Sequence, residues 1–168
     1  MDAAELRAMQ APIKERYRND PTAGLVTLKA RGSLDDGIAC KVETGRALAV
    51  AGLHPATGGS GLELCSGDML LEALVACAGV TLKAVSTALD IPLRGASVSA
   101  EGDLDFRGTL GVDKEAPVGF AEIRLRFDVD TDAGQDKLDQ LLKLTERYCV
   151  VYQTIRNGPK VDVALGRV

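Results

Sequence analysis

Apolar residues are concentrated in one stretch of the chain, which runs from Asp68 to Leu89 (DMLLEALVACAGVTLKAVSTAL). Leu and Ala, which favour helix, are its commonest residues, and no proline interrupts it. Ser66 or Asp68 offers a side-chain acceptor at its start, and Pro92 cannot continue a helix. Because polar residues are sparse on every face, the pattern predicts a long helix in the core of the protein, with Cys77 at its centre.

Alternation of apolar and polar residues predicts β-strands on both sides of this helix. The clearest strand is Phe120 to Val129, in which Ile123, Leu125 and Phe127 share one face while charged residues share the other. A stripe of leucines predicts a second helix that ends just before Cys149. The full set of predicted elements is a helix at 2–18 that is kinked or split at Pro12, strands at 25–30, 38–43 and 46–53, the helix at 68–89, strands at 93–106 and 120–129, a helix at 134–148, further helical turns at 150–156 and a strand at 160–165.

The order of these elements indicates an α+β fold, because runs of strands and helices do not alternate strictly. A chain of 168 residues is long enough for one domain with its own core. We predict that residues 1–24 form an N-terminal helical extension and that residues 25–168 form the domain. Since aromatic residues make up only 4% of the chain, Leu, Val, Ile and Ala must fill that core.

The charge balance narrows the class of partner. A formal net charge of −4 and a sequence pI of about 5.1 argue against nucleic acid or an anionic membrane surface, which favour basic faces. The long helix has the length of a membrane span, but Asp68, Glu72 and Lys83 interrupt it, so we interpret it as the core of a soluble protein and predict no membrane contact. The first residues (MDAAE) lack a secretion signal, and four cysteines without one predict reduced thiols in the cytoplasm.

Two cysteines and their surroundings resemble a known family. Cys77 lies in SGDMLLEALVACAGVTL and Cys149 lies in LTERYCVVYQTI, and both segments are similar to the cysteine-bearing helices of the OsmC/Ohr family, the osmotically inducible and organic hydroperoxide resistance proteins. The resemblance covers the chain from about Val26 to its C-terminus. It implies an OsmC-like α+β fold, with two antiparallel sheets packed around two central helices, and an intertwined homodimer.

The resemblance also implies a chemistry for the two thiols. Cys77 would attack a peroxide, and Cys149, which in the family is often followed by Pro and Val, would resolve the intermediate. A thiolate that attacks a peroxide oxygen becomes a sulfenic acid, and a second thiol within reach condenses with it to a disulfide. The implied substrate is an organic hydroperoxide, and the implied reductant is an external lipoyl-type dithiol. This chemistry needs no metal or other cofactor.

The groups that would activate Cys77 depart from the family pattern. A peroxide-reactive thiol needs a lowered pKa, and in the family an Arg and a Glu beside the first cysteine form the activating pair. Gly67 occupies the position of that Glu, so Asp68 is the candidate carboxylate. Arg46, which follows a predicted Thr-Gly turn, is the candidate arginine, with a solvated hairpin charge as the alternative interpretation. Arg31 is a weaker candidate.

The residues leave more than one functional hypothesis open. The leading one is a thiol-dependent peroxidase, and the alternative is a non-catalytic binding protein or slow redox sensor that lacks the Arg–Glu pair. A metal site is disfavoured because His54 is the only histidine and the cysteines lack the short paired spacings of zinc sites. We interpret His54 as a surface residue and Cys40 as a packing residue, whereas Cys65 could compete with Cys149 as a disulfide partner.

Overall fold

The structure is a computed structural model that describes residues 2–20, 31–35, 39–43 and 48–167. The helices are α1 (Ala3–Asn19), α2 (Ser66–Ala88), α3 (Phe106–Thr109), α4 (Gln135–Tyr148) and α5 (Val150–Asn157), and the strands are β1 (Arg31–Asp35), β2 (Ala39–Glu43), β3 (Leu48–Gly52), β4 (Leu64–Cys65), β5 (Gly95–Leu104) and β6 (Phe120–Asp130). The predicted α+β class is confirmed. The predicted strand at 25–30 lies outside the described residues.

The strands form two separate sheets. β1, β2 and β3 are antiparallel neighbours, and β4 pairs with β3 in the parallel direction, so this four-stranded sheet is mixed rather than purely antiparallel. β5 and β6 form an antiparallel pair. β4 has only two residues, and Gly52 lies opposite Cys65 in the pairing. Since α2 begins at the next residue, this short pairing determines where the long helix leaves the sheet.

Helix α2 is the element on which the others pack, because α4, α5 and β5 all contact it. Its buried residues recur at spacings of three and four, which places them on one helix face. They are Leu74, Ala78, Leu82, Val85 and Ser86. The helix ends at Ala88, and Asp90 then adopts the left-handed backbone conformation (φ 53°) shortly before Pro92. The main apolar cluster joins Leu82 and Val85 to Ile91 and to Leu141 of α4.

Strand β6 confirms the clean alternation of its sequence. Phe127 and Val129 pack against the cluster around Leu82, while the charged face of β6 is exposed. On that face Arg124 forms an ion pair with Asp103 of β5. Exposed ion pairs contribute little to stability, so the apolar face is what holds the β5–β6 pair against the helices.

Helix α2 is less buried than its sequence predicts. Only five of its residues are buried, and Val80 is 72% exposed. Leu70 is also exposed, so an apolar stripe of α2 faces away from the rest of the described chain. Within the described part of the chain α2 is the one helix long and apolar enough to cross a membrane by length and composition, a test that the core helix of a soluble protein also passes.

Two expectations are wrong at the level of single elements, namely the split of the first helix at Pro12 and the strand at 160–165. Pro12 neither splits α1 nor ends it, since Ala, Arg and Lys, which are good helix formers, surround it and only one backbone hydrogen bond is lost. Residues 160–165 form no strand, because no neighbouring strand of the described chain pairs with them. The loop after β5 contains the short helix α3, whose first turn is capped by the side chain of Asp105.

Candidate functional site

The fold brings Cys77 and Cys149 into direct contact. Cys77 lies at the centre of α2 and is half-buried, whereas Cys149 lies between α4 and α5 and is 1% exposed. Both thiols are free, and the Cys149 thiol donates a hydrogen bond to the Cys77 sulfur. Since Cys77 is the more accessible of the two, an incoming molecule meets its sulfur first.

The N-terminus of α5 surrounds the two sulfurs with backbone amides. Cys149 is the N-cap residue, and its side chain makes no capping hydrogen bond of the usual kind. The first intrahelical bond runs from the Gln153 amide to the Cys149 carbonyl oxygen (2.9 Å), so the three preceding amides have no partner inside the helix. The amides at this helix start lower the pKa values of both thiols: those of Val150 and Val151 act on Cys77, and those of Tyr152 and Val151 act on Cys149.

This arrangement moves the pKa values of the two thiols in opposite directions. Burial raises the pKa of Cys77, but hydrogen bonds from the Val151 amide, the Cys149 thiol and the Val150 amide outweigh burial, so the pKa of Cys77 lies below its ordinary value. Burial also raises the pKa of Cys149, and the adjacent Cys77 thiolate raises it further, so the pKa of Cys149 lies above its ordinary value. Cys77 is therefore the thiol that ionises first.

Thr81 is the residue one helical turn after Cys77, on the same face of α2. Its hydroxyl donates to the Cys77 carbonyl oxygen at 2.8 Å, and it also lies within hydrogen-bond reach of the Cys77 sulfur. A threonine hydroxyl carries a single hydrogen, so it cannot serve both acceptors at once. In the conformation shown, the sulfur thus depends mainly on the amides of α5.

Two cavities are lined by residues that neighbour the thiols along the chain, although neither Cys77 nor Cys149 lines them. Leu74, one turn before Cys77, lines a small cavity of about 90 Å³ together with residues of β6 and α5. On the other side of the α4–α5 junction, Tyr148 and Val150 lie in an open groove of about 460 Å³. The Arg147 guanidinium lies 5.7 Å from the centre of the Tyr148 ring and borders this groove. Such surroundings suit a small apolar molecule with a polar reactive end.

Asp68 lies far from the thiols within one chain. It is in the first turn of α2, nine residues before Cys77, which corresponds to roughly 14 Å along the helix axis. It lines a separate cavity of about 330 Å³ with Gly67, Cys65 and His54. A Glu at position 67 would therefore face this second cavity as well. Any contact of Asp68 with a Cys77 sulfur requires a second copy of the chain.

The remaining candidates are two arginines and the single histidine. Arg46 lies outside the described residues, and Arg31 is placed in β1 without a described side chain. His54 accepts a hydrogen bond from the Ala56 amide at Nδ1 and stacks on Phe106 with ring centroids 4.9 Å apart, so it connects the loop before α2 to α3. The main contributions to the pKa of Cys77 come from burial and from uncharged donors.

Cys65 cannot compete for Cys77 within this chain. Twelve residues of helix separate them, which corresponds to roughly 18 Å, whereas the Cα atoms of a disulfide lie about 4.4–6.8 Å apart. Cys40 of β2 pairs with Ala51 of β3, whereas Cys65 of β4 pairs with the next residue, Gly52. The two cysteines therefore pair with different residues of β3. Among the described residues, no group of three or more His, Cys, Asp or Glu side chains is arranged to hold a metal ion.

Comparison with known proteins identifies the family. The model of the family described as OsmC-like protein matches residues 59–164, well over half of the chain and including both thiols. The chain belongs to the OsmC-like protein family. The family resemblance of the cysteine segments is thereby confirmed. A comparison with curated protein sequences found no match.

Solved structures of OsmC-like proteins share the fold. An OsmC-like protein from Mycoplasma pneumoniae is 14% identical, with 79% of this chain and 89% of that chain covered and a TM-score of 0.65. An organic hydroperoxide resistance protein OsmC from Legionella pneumophila is 18% identical, with coverage of 80% and 92% and a TM-score of 0.62. An organic hydroperoxide resistance protein from Elizabethkingia anophelis is 16% identical, with coverage of 80% and 91% and a TM-score of 0.63.

The sequence reasoning missed two components of this OsmC-like thiol site. One is the set of amides at the start of α5, and the other is the Thr81 hydroxyl. The signals were present: Cys149 directly precedes a predicted helical segment, as an N-cap residue does, and Thr81 follows Cys77 by four positions. Moreover, the family often has Pro where this chain has Val150, and a proline has no amide hydrogen to donate.

Proposed function

We propose that this OsmC-like protein is a thiol-dependent peroxidase that reduces organic hydroperoxides through Cys77 and Cys149, in defence against oxidative stress. The observation that carries the proposal is the contact between an accessible thiol of lowered pKa and a buried thiol of raised pKa. The structural relatives from L. pneumophila and E. anophelis are named organic hydroperoxide resistance proteins.

The reaction follows from the states of the two thiols. The Cys77 thiolate attacks the terminal oxygen of the hydroperoxide, the O–O bond breaks, and the alkoxide leaves with the electron pair and takes a proton from water. Cys77 is then a sulfenic acid. The Cys149 thiol attacks the sulfenic sulfur, water leaves, and a Cys77–Cys149 disulfide forms. An external dithiol of the lipoyl type then returns both residues to thiols and itself becomes a disulfide.

The α5 amides supply part of the activation that the family's Arg–Glu pair would supply. Backbone N–H groups at a helix N-terminus stabilise negative charge, and here two of them point at the Cys77 sulfur. Arg46 and Asp68 remain our candidates for the charged part of the activation. Because Asp68 is roughly 14 Å from Cys77 along its own helix, its role requires the thiol site of a partner subunit.

We accordingly propose a homodimer as the working form. The exposed stripe of α2 comprises Leu70, Ala73, Ala76 and Val80, which are all apolar. The segment 160–165 alternates apolar and polar residues, and Leu165 at its end is fully exposed in the single chain. A second copy would cover the stripe and offer this segment a strand to pair with. We place the protein in the cytoplasm, where its thiols stay reduced between turnovers.

A turnover assay with matched cysteine variants tests the activity. The reduced protein is mixed with cumene hydroperoxide and dihydrolipoamide, and peroxide consumption is measured for the wild type and for C77S, C149S and C65S. We expect loss of activity in C77S, a dimedone-reactive sulfenic acid that accumulates on Cys77 in C149S, and unchanged turnover in C65S, because Cys65 cannot reach the pair.

Turnover no faster than that of free cysteine in every variant would refute the peroxidase. It would favour the alternative of a binding protein or slow redox sensor of the same fold, since the described part of one chain brings no Arg–carboxylate pair to Cys77. Addition of R46A to the series then separates the two sources of activation. If Arg46 contributes charge, R46A lowers turnover without changing the formation of the Cys77–Cys149 disulfide by strong oxidants.

A further inference from the structure

The Thr81 hydroxyl stands between two acceptors that belong to the same residue. Its hydrogen bonds the Cys77 carbonyl oxygen at 2.8 Å, and its position one turn after Cys77 on the same helix face brings it beside the Cys77 side chain, whose pKa it lowers. Back-bonding of this kind occurs elsewhere in α2, where Thr87 donates to the Lys83 carbonyl oxygen at 2.8 Å. The bond to the carbonyl oxygen is therefore ordinary for a helical threonine, and the adjacent sulfur is what distinguishes Thr81.

We propose that the Thr81 hydroxyl is a switchable donor that turns from the Cys77 carbonyl oxygen to the Cys77 sulfur when the thiol ionises. The inference extends the proposed function, on which its biological meaning rests. It makes Thr81 a third uncharged group, beside the amides of Val150 and Val151, that stabilises the reactive thiolate.

The protonated and ionised states of Cys77 call for different hydrogen positions. A protonated Cys77 has a hydrogen of its own to donate to Thr81 Oγ1, and the Thr81 hydrogen can then stay on the carbonyl oxygen. A thiolate is purely an acceptor, so a donor that turns towards it gains a charge-assisted bond. The carbonyl oxygen is not left unpaired by this turn, because within α2 it also accepts from the Thr81 backbone amide.

Among the described residues, the groups that lower the pKa of Cys77 are uncharged. Cys149 is the titratable group that faces it from the α4–α5 junction. The nearest arginines of those helices are engaged with aromatic rings, Arg147 with Tyr148 and Arg156 with Tyr152. A threonine hydroxyl hydrogen rotates about the Cβ–Oγ bond to suit its acceptor, so the turn requires no change in the helix backbone.

The pH dependence of alkylation measures this switch directly. The reduced full-length protein is treated with iodoacetamide over a range of pH, and the alkylated fraction of the Cys77 peptide is quantified by mass spectrometry. The variants are T81V, which keeps the shape and removes the hydroxyl, T81S, which restores it, and T87V, which removes the equivalent back-bond six residues further along the same helix.

We expect T81V to move the Cys77 profile to higher pH and to slow alkylation at neutral pH about fivefold, the factor that corresponds to one hydrogen bond of about 1 kcal/mol. T81S should restore the wild-type profile, and T87V should match the wild type. A T81V profile that superimposes on the wild type, or a T81V shift that T81S does not reverse, overturns the switch.

This readout needs no peroxide. A shifted T81V profile in a protein without peroxidase activity would refute the proposed function and leave the Thr81 switch in place. An unshifted T81V profile in an active peroxidase would refute the Thr81 switch and leave the proposed function in place. Circular dichroism of T81V against T87V checks that both variants fold, and the alkylation of Cys65 in the same samples serves as the internal reference.

Discussion

The substitution Val150→Pro tests whether the α5 amides lower the pKa of Cys77. Val150 is the first residue of α5, where proline is well tolerated because its missing N–H has no partner inside the helix. The preceding residue, Cys149, has φ −73° and ψ 106°, close to the extended region that a residue before proline prefers. The change therefore removes one donor to the Cys77 sulfur and otherwise leaves the helix intact.

The size of the effect follows from the environment of the sulfur. A hydrogen bond to a charged group contributes about 1.5 kcal/mol or more, and we reduce this to about 1 kcal/mol because sulfur is a weaker acceptor and Cys77 is half-exposed. About 1 kcal/mol corresponds to a factor of about five. We expect the thiolate fraction of Cys77 at neutral pH to fall by this factor in V150P, while global stability changes by no more than about 1 kcal/mol.

The assay compares V150P with V150A, which loses the side chain but keeps the amide. The thiolate is followed by its ultraviolet absorbance as pH rises, and the rate of reaction with cumene hydroperoxide is measured at neutral pH. Because the folded-state pKa of Cys77 is lowered, thiolate should appear in the wild type at lower pH than in V150P. Identical titrations for V150P and V150A would refute the assignment of activation to this amide.

Two further predictions concern the assembly and the β5–β6 pair. The wild type should sediment at twice the 17.7 kDa chain mass, and V80D should sediment as a monomer. The control V112D, at an equally exposed position outside α2, should remain dimeric. A monomeric wild type would contradict the proposed homodimer. G102A should lower the free energy of unfolding in urea by about 1–3 kcal/mol, because a Cβ there would lie 2.5 Å from the Phe120 ring. In the control G95A, in the same strand, the added Cβ meets no atom within 4 Å. Equal losses in both variants would contradict the steric explanation.

The periodicity of the sequence was sufficient to predict the long helices and strands. Helices α2 and α4 and strand β6 lie within two residues of their predicted bounds, because each has many residues of one repeat and a clear stop signal. The two-residue strand β4 and the four-residue helix α3 are too short to show any repeat. The failed strand at 160–165 has the correct alternation, which shows that a pattern specifies a face but does not supply a neighbouring strand.

The two cysteines could be picked out from the sequence, but the charged partners predicted for them, Arg46 and Asp68, are not found beside Cys77 in the described part of one chain. The resemblance named Cys77 and Cys149, and the packing of α4 and α5 on α2 places them together. It also led us to look for a charged partner near position 67, which lies in the first turn of α2, ten residues before Cys77. Every residue except proline has a backbone amide, so the sequence indicates at most that a helix starts after Cys149. The packing of α5 on α2 is what brings its first amides to the thiols.

The amides at the start of α5 also affect the reduction potential of the Cys77–Cys149 pair. These amides favour a negatively charged sulfur, and the sulfurs of a disulfide are neutral and weaker acceptors. Each kcal/mol by which the amides stabilise the thiolate over the disulfide raises the reduction potential by about 20 mV. In the proposed reaction the Cys77–Cys149 disulfide would therefore be more oxidising than a structural cross-link, and a low-potential dithiol would open it. In the proposed reaction the α5 amides lose a negatively charged sulfur each time Cys77 is oxidised and regain it each time the reductant restores the thiolate.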